Sequence, residues 1–139
     1  MKSFLSVLLL SGMVIFSSCK KDDTPADPRD TFVGDYEMAA ECDNIQGDVD
    51  FEIEKDPNDA KALILNSPFF DEFGIDDVEA EIAGNGFEIP ETNVRLIQNG
   101  VTYNGKMEGE GSMNGKVLTI DFSFSGDIDD SCELHGSKE

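Results

Sequence analysis

Residues 48–54 read Asp48-Val49-Asp50-Phe51-Glu52-Ile53-Glu54. Acidic and apolar side chains alternate at every step. Successive side chains of an extended chain point to opposite faces, so this segment offers Val49, Phe51 and Ile53 to a core and its carboxylates to water. It is the cleanest amphipathic strand in the chain.

The same period of two continues on either side. Upstream, Phe32, Gly34, Tyr36, Met38, Ala40 and Cys42 share one face, with Asp35, Glu37 and Glu41 on the other. Downstream, Asp56-Pro57-Asn58-Asp59 has turn chemistry and Lys61 to Asn66 reads as a third strand. Ser67 to Asp76 is a connection with room for one helical turn, because Pro68 suits a helix start. Val78, Ala80 and Ile82 make a fourth strand, and Asn85-Gly86 predicts a type I′ hairpin turn into Phe87 and Ile89. Asn93 to Gln98 and the glycine-rich Val101 to Met113 follow. Asn114-Gly115 is a further hairpin turn, after which Leu118, Ile120, Phe122 and Phe124 share a face; Ile128 to Ser137 closes the chain. No long helical period interrupts the series. About eight short strands joined by tight turns predict an all-β, antiparallel up-and-down barrel, since closure removes exposed sheet edges; a two-sheet sandwich is the alternative.

The 139 residues allow one such domain. Asp and Glu total 30 against 10 Lys and Arg, a formal charge of −20 that repels phosphate backbones and excludes nucleic acid as a partner.

The N-terminus has a different character. Lys2 is followed by an uncharged, largely apolar run from Phe4 to Phe16, too short for a membrane span of about 20 residues but suited to a signal peptide. Phe16-Ser17-Ser18-Cys19 resembles a bacterial lipobox, with Phe16 where that motif usually has Leu. The resemblance implies a signal peptide over residues 1–18, diacylglycerol transfer to the Cys19 thiol and cleavage before it. An ordinary secretory signal with an incidental Cys is the alternative. Lys2 is the one charge lost with that segment, so the mature charge goes from −20 to −21. Cys19-Lys20-Lys21-Asp22-Asp23 is similar to the start of lipoproteins of the Bacteroidota type, which implies Lys20, Lys21, Asp22 and Asp23 as a signal for the outer face of the outer membrane; a plain charged tether is the alternative reading. Lys20 to Thr31 carries Pro25 and Pro28 and no large apolar residue, so residues 19–31 are expected to be a disordered acidic tether spanning roughly 20 Å, with the folded domain occupying 32–139.

The order of segments resembles the small lipocalin-like lipoproteins of the Bacteroidota type. The matching pieces are Phe32-Val33-Gly34-Asp35-Tyr36 and the run from Gly109 to Ile120, with Cys132 in the last strand. These are turn and packing residues, and they imply a fold more than a function. In an up-and-down barrel the first and last strands are antiparallel neighbours. The end of one, at Cys42, then lies opposite the start of the other, at Cys132. In an exported, oxidising compartment a Cys42–Cys132 disulfide is expected, with two free thiols as the alternative.

Constellations for catalysis are sparse. His135 is the single imidazole and points away from Cys132 and Leu134 by alternation. There is no Gly-x-Ser-x-Gly elbow. Gly109, Gly111 and Gly115 precede a strand rather than a helix, so they fit strand curvature and close packing better than phosphate binding. The acidic groups at Asp56–Asp59, Asp71–Glu72, Asp76–Asp77 and Asp127–Asp130 match no EF-hand spacing and read as solvated surface. The expectation is a non-enzymatic protein without metal or cofactor, anchored to the membrane by lipid on Cys19. Two roles fit it. One is a barrel that binds a small or extended ligand, with Tyr36, Phe51, Phe87, Tyr103 and Phe122 facing it, although such rings could instead fill the interior. The other is a surface interaction or structural lipoprotein that meets a protein partner through loops such as Pro68-Phe69-Phe70-Asp71-Glu72-Phe73; these rings could instead plug one barrel end.

Overall fold

A computed structural model describes residues 26–139. The signal segment 1–18, the lipidation site Cys19 and the Lys20–Asp23 signal lie outside the described residues. Eight antiparallel strands run in chain order: β1 (Gly34–Cys42), β2 (Gln46–Lys55), β3 (Ala62–Asn66), β4 (Asp77–Ala83), β5 (Gly86–Gln98), β6 (Val101–Asn114), β7 (Val117–Gly126) and β8 (Ser131–Lys138). Each pairs with its neighbours, and β8 returns to β1 through a register from Tyr36↔Lys138 to Cys42↔Cys132. The ring is a closed barrel; the sandwich alternative is set aside. The Cys42–Cys132 disulfide lies in this closing seam.

Apolar side chains alternate inward along every strand. In β7, Leu118, Ile120, Phe122 and Phe124 are buried while Asp121, Ser123 and Ser125 are exposed. A membrane-spanning barrel has the reverse arrangement, with an apolar outer band. The outer wall here is acidic.

Both ends are stoppered by aromatic rings. At one end Phe32 enters from the N-terminal turn and meets Phe87 edge to face at 5.2 Å. At the other, helix α1 (Pro68–Asp71), capped by the Ser67 hydroxyl, inserts Phe69 and Phe70 against Phe122 at 5.6 and 5.8 Å, and Phe73 stacks on Phe124 at 4.7 Å. Phe69, Phe70 and Phe73 are all buried. The rings between β3 and β4 therefore plug this end of the barrel.

Four local expectations are corrected. First, within the segment expected to be tether, Pro28–Thr31 forms a 3₁₀ turn capped by Asp27. Arg29 holds this turn down, donating from Nη1 to the carbonyls of Asp56 and Asp59 at 3.1 and 2.8 Å. Its guanidinium also pairs with Asp27 and keeps that carboxyl well below the usual carboxylate range. Second, Phe87–Ile89 and Asn93–Gln98 are one strand, broken only by a register shift between Ile89 and Thr92. Pro90, which has no N–H to give to a ladder, sits in the irregularity. Third, two hairpin turns lie one residue away from the expected positions. Ala83 pairs with Gly86 and Asn114 with Val117, so the loops are Gly84-Asn85 and Gly115-Lys116. Only the first residue of each loop has positive φ, as in a type II′ turn. The dipeptide with positive φ at both residues is Asn99-Gly100, between Gln98 and Val101. Fourth, the last strand begins at Ser131, and 127–130 belongs to a loop.

Candidate functional site at the open end of the barrel

Tyr36, Phe51, Phe87 and Phe122, expected to face a ligand, are each no more than 2% exposed. Their surfaces are taken up by the protein itself. Phe51 packs edge to face on Phe70 at 5.4 Å, and Phe87 lies against Phe32 and over Gly111, where an added Cβ would collide with the ring. Phe122 similarly occupies the space beside Gly109. The Tyr36 hydroxyl donates to the Phe32 carbonyl at 2.7 Å, and burial pushes the phenol up to about 12. These four residues are core. Gly111 makes the room for Phe87, while a Cβ at Gly109 or Gly105 would first meet the Asp121 or Ser125 carbonyl of β7, so ring packing and close strand approach together account for the glycine-rich sequence of β6.

Tyr103 is different. It is half-buried on β6, opposite Leu96 of β5, at the end of the barrel that α1 stoppers. There it lines a cleft of about 580 Å³ with a floor of Ile45, Phe73, Leu96, Tyr103 and Ile128 and a rim of Asn44, Gln98, Asp127, Asp129 and Asp130. Four connections build it. The β1–β2 turn brings Ile45, the β3–β4 connection brings Phe73, the β5–β6 hairpin brings Leu96 and Tyr103, and the β7–β8 loop brings Ile128 between carboxylates. The disulfide ties the first of these to the last.

The rim carboxylates are not equivalent. Asp130 accepts from the backbone N–H groups of Asp43 and Ser131 at 3.0 and 2.8 Å and from the Asn44 side chain at 3.3 Å. Asp127 accepts from the Asn104 N–H at 3.1 Å. Both brace the loops. Asp129 is exposed and has no hydrogen-bond partner among the described residues. Turn bracing also explains the run Asp56–Asp59, where Asp56 and Asp59 accept from the N–H groups of Asn58 and Lys61 at 2.7 and 2.8 Å. Among the described residues, no group of three or more His, Cys, Asp or Glu side chains is arranged to hold a metal ion. His135 sits on the outer wall with Nδ1 3.9 Å from a Glu133 carboxylate oxygen.

The outer wall has a feature that alternation alone does not disclose. Glu81, Glu88, Glu110, Asp121, Glu133 and Glu41 are successive cross-strand partners from β4 through β8 to β1. Neighbouring strands lie about 4.8 Å apart, so this is an unbroken row of like charges around most of the barrel.

Ile45 and Leu96 are not distinguished as site residues by the sequence, and Asp129 reads there only as solvated surface within Asp127–Asp130. A signal exists for the apolar ones: Ile45 and Ile128 are lone apolar residues in acidic turns, where nothing but a buried or bound surface calls for them. Compared with known proteins, the chain matches no family model, no curated protein and no solved structure.

Proposed function

We infer that this chain is a lipid-anchored, non-enzymatic binding module of the cell envelope, a lipocalin-like lipoprotein held through Cys19 at the outer membrane, which engages its partner at the open end of the barrel rather than inside it. The observation that carries the reading is the contrast between the two places a barrel can bind. The interior rings are sealed against one another, whereas the end lined by Tyr103 keeps an apolar floor open to solvent. The size of the cleft falls in the usual range for ligand sites.

The direction of the chain sets how such an anchor would orient the barrel. The 3₁₀ turn at Pro28–Thr31 closes the end where β1 begins, and β1 delivers Cys42 to the cleft end. Nine strand residues span about 30 Å. A lipid at Cys19 would thus hold the closed end toward the membrane and leave the cleft facing outward.

Two measurements test this reading. Cys19→Ser should move the folded protein from the membrane to the soluble fraction, and Lys21, Asp22 and Asp23 changed together to Ala should leave it membrane-bound but hidden from external protease; retention of Cys19→Ser in membranes would contradict the anchor. Native mass spectrometry of the protein purified from its own cells should give the mass of the polypeptide with its modification alone. A small apolar molecule that co-purifies and shields Tyr36 or Phe122 would restore an interior site.

A further inference from the structure

We propose that the open end of the barrel docks a basic amphipathic peptide segment of a partner protein, with apolar side chains over Leu96 and Tyr103 and a Lys or Arg against Asp129. The proposal rests on the reading of the open end given above and deepens it by naming the chemistry of the partner.

Three observations converge. The apolar floor continues onto the adjoining hairpin: Val101, paired with the cleft residue Gln98 and two residues from Tyr103, shares their face and is 51% exposed. An apolar surface that runs from a cleft onto its lip suits a chain segment better than a compact molecule, which the cleft alone would hold. The charge is of one sign: Asp127, Asp129 and Asp130 line the cleft and no Lys or Arg does. Arg95 lies next to Leu96 in β5 but takes the outer face by alternation, and it is exposed. Two of the three carboxylates are committed to backbone N–H groups, yet each keeps its charge; Asp129 has its full accepting capacity free. A cationic head beside these groups would be attracted by all three, its aliphatic stem would cover the apolar floor, and the Tyr103 ring adds a favourable face for it. An acidic segment would meet only repulsion.

A protein of this net charge attracts any polycation, so the test must separate the site from the general field. Binding of fluorescent peptides is measured at physiological salt, where long-range attraction is screened. The probes are a Leu–Lys amphipathic peptide, a Leu–Glu peptide of the same pattern and a Ser–Lys peptide. The Leu–Lys peptide should bind the unaltered protein and the other two should not. Asp129→Asn should weaken that binding about five-fold, and Val101→Ser by about the same factor. Glu110→Gln removes one charge from the outer wall and should leave the affinity unchanged. Failure of the Leu–Lys peptide to bind overturns the inference, as does equal weakening by Glu110→Gln and Asp129→Asn or equal binding of the Ser–Lys peptide. Binding of the Leu–Glu peptide that Val101→Ser abolishes overturns the cationic partner while leaving the open end as the site. Insensitivity of every bound peptide to the Val101 change overturns both.

Discussion

Gly111 has no side chain because Phe87 occupies that space from the neighbouring strand. A methyl group there forces the ring or the β5–β6 ladder to move, so Gly111→Ala should destabilise the barrel by about 1–3 kcal/mol. Shrinking the ring as well should recover part of the loss. The pair Gly111→Ala with Phe87→Leu is therefore expected to cost less than the sum of the single changes, measured by denaturant unfolding, and simple additivity would contradict the contact. Tyr36 allows a test by pH. Its phenol is raised by burial from 10.0 to about 12. The folded state holds the neutral form, so the stabilisation is complete below pH 10 and is lost as pH rises from about 10 toward about 12, because the unfolded chain ionises first. Two pH units correspond to about 2–3 kcal/mol. Thermal midpoints should fall through this window. In Tyr36→Phe the fall should be shallower, from a starting point about 1 kcal/mol lower for the lost hydrogen bond to Phe32. An unchanged slope would show that other groups carry the alkaline transition. Of these two residues, Tyr36 is recognisable in sequence as an inward position of β1. That a given glycine of β6 faces a given ring is not, because it depends on the β5–β6 register across the Pro90 irregularity.

At the scale of elements, the seam between β1 and β8 closes the barrel, and Cys42–Cys132 fastens it at the cleft end. The bond spans 90 residues, so in the chain-entropy model its loss costs at most about 4–5 kcal/mol. Urea midpoints with and without reductant should differ accordingly, and Cys42→Ser with Cys132→Ser should match the reduced protein; indifference to reductant would deny the seam its fastening. The row of carboxylates on the wall works the other way. Glu110 lies directly between Glu88 and Asp121, and like charges directly opposite are destabilising. Glu110→Lys converts two repulsive pairs into attractive ones and should raise stability by about 0.5–2 kcal/mol, with less gain at high salt; a loss would mean that the row is neutralised by something bound to it. The strands themselves were legible because one-sided burial imposes alternation, and Asp48–Glu54 states it without ambiguity. The turns were legible to within a residue. Moving the Asn85-Gly86 loop to Gly84-Asn85 leaves Ile82 and Phe87 on the same inner face, so the hydrophobic pattern cannot distinguish the two registers. What separates them is contact, with Gly86 drawn into the strand against the Gly111 carbonyl.

For the whole molecule, the two ends of the barrel are distinct in kind. One is closed by Phe32 under a turn that Arg29 pins, and the other is plugged by Phe69, Phe70 and Phe73 yet retains a cleft above the plug. The turn at 27–31 was hidden because its ordering comes from two distant carbonyls, those of Asp56 and Asp59, rather than from any apolar residue of its own. The cleft was hidden for a similar reason: its floor is assembled from four connections far apart in the chain, and of the five aromatic residues expected to face a ligand only Tyr103 reaches it. The central claim is that binding takes place at this end and not within the barrel. Methyl NMR during titration with the Leu–Lys peptide tests it most directly. The account predicts that the methyl signals of Ile45, Leu96 and Val101 shift together while those of Met38, Leu63 and Leu118, on the sealed interior, stay in place. Shifts of Met38, Leu63 and Leu118 with the open-end methyls unmoved would contradict it.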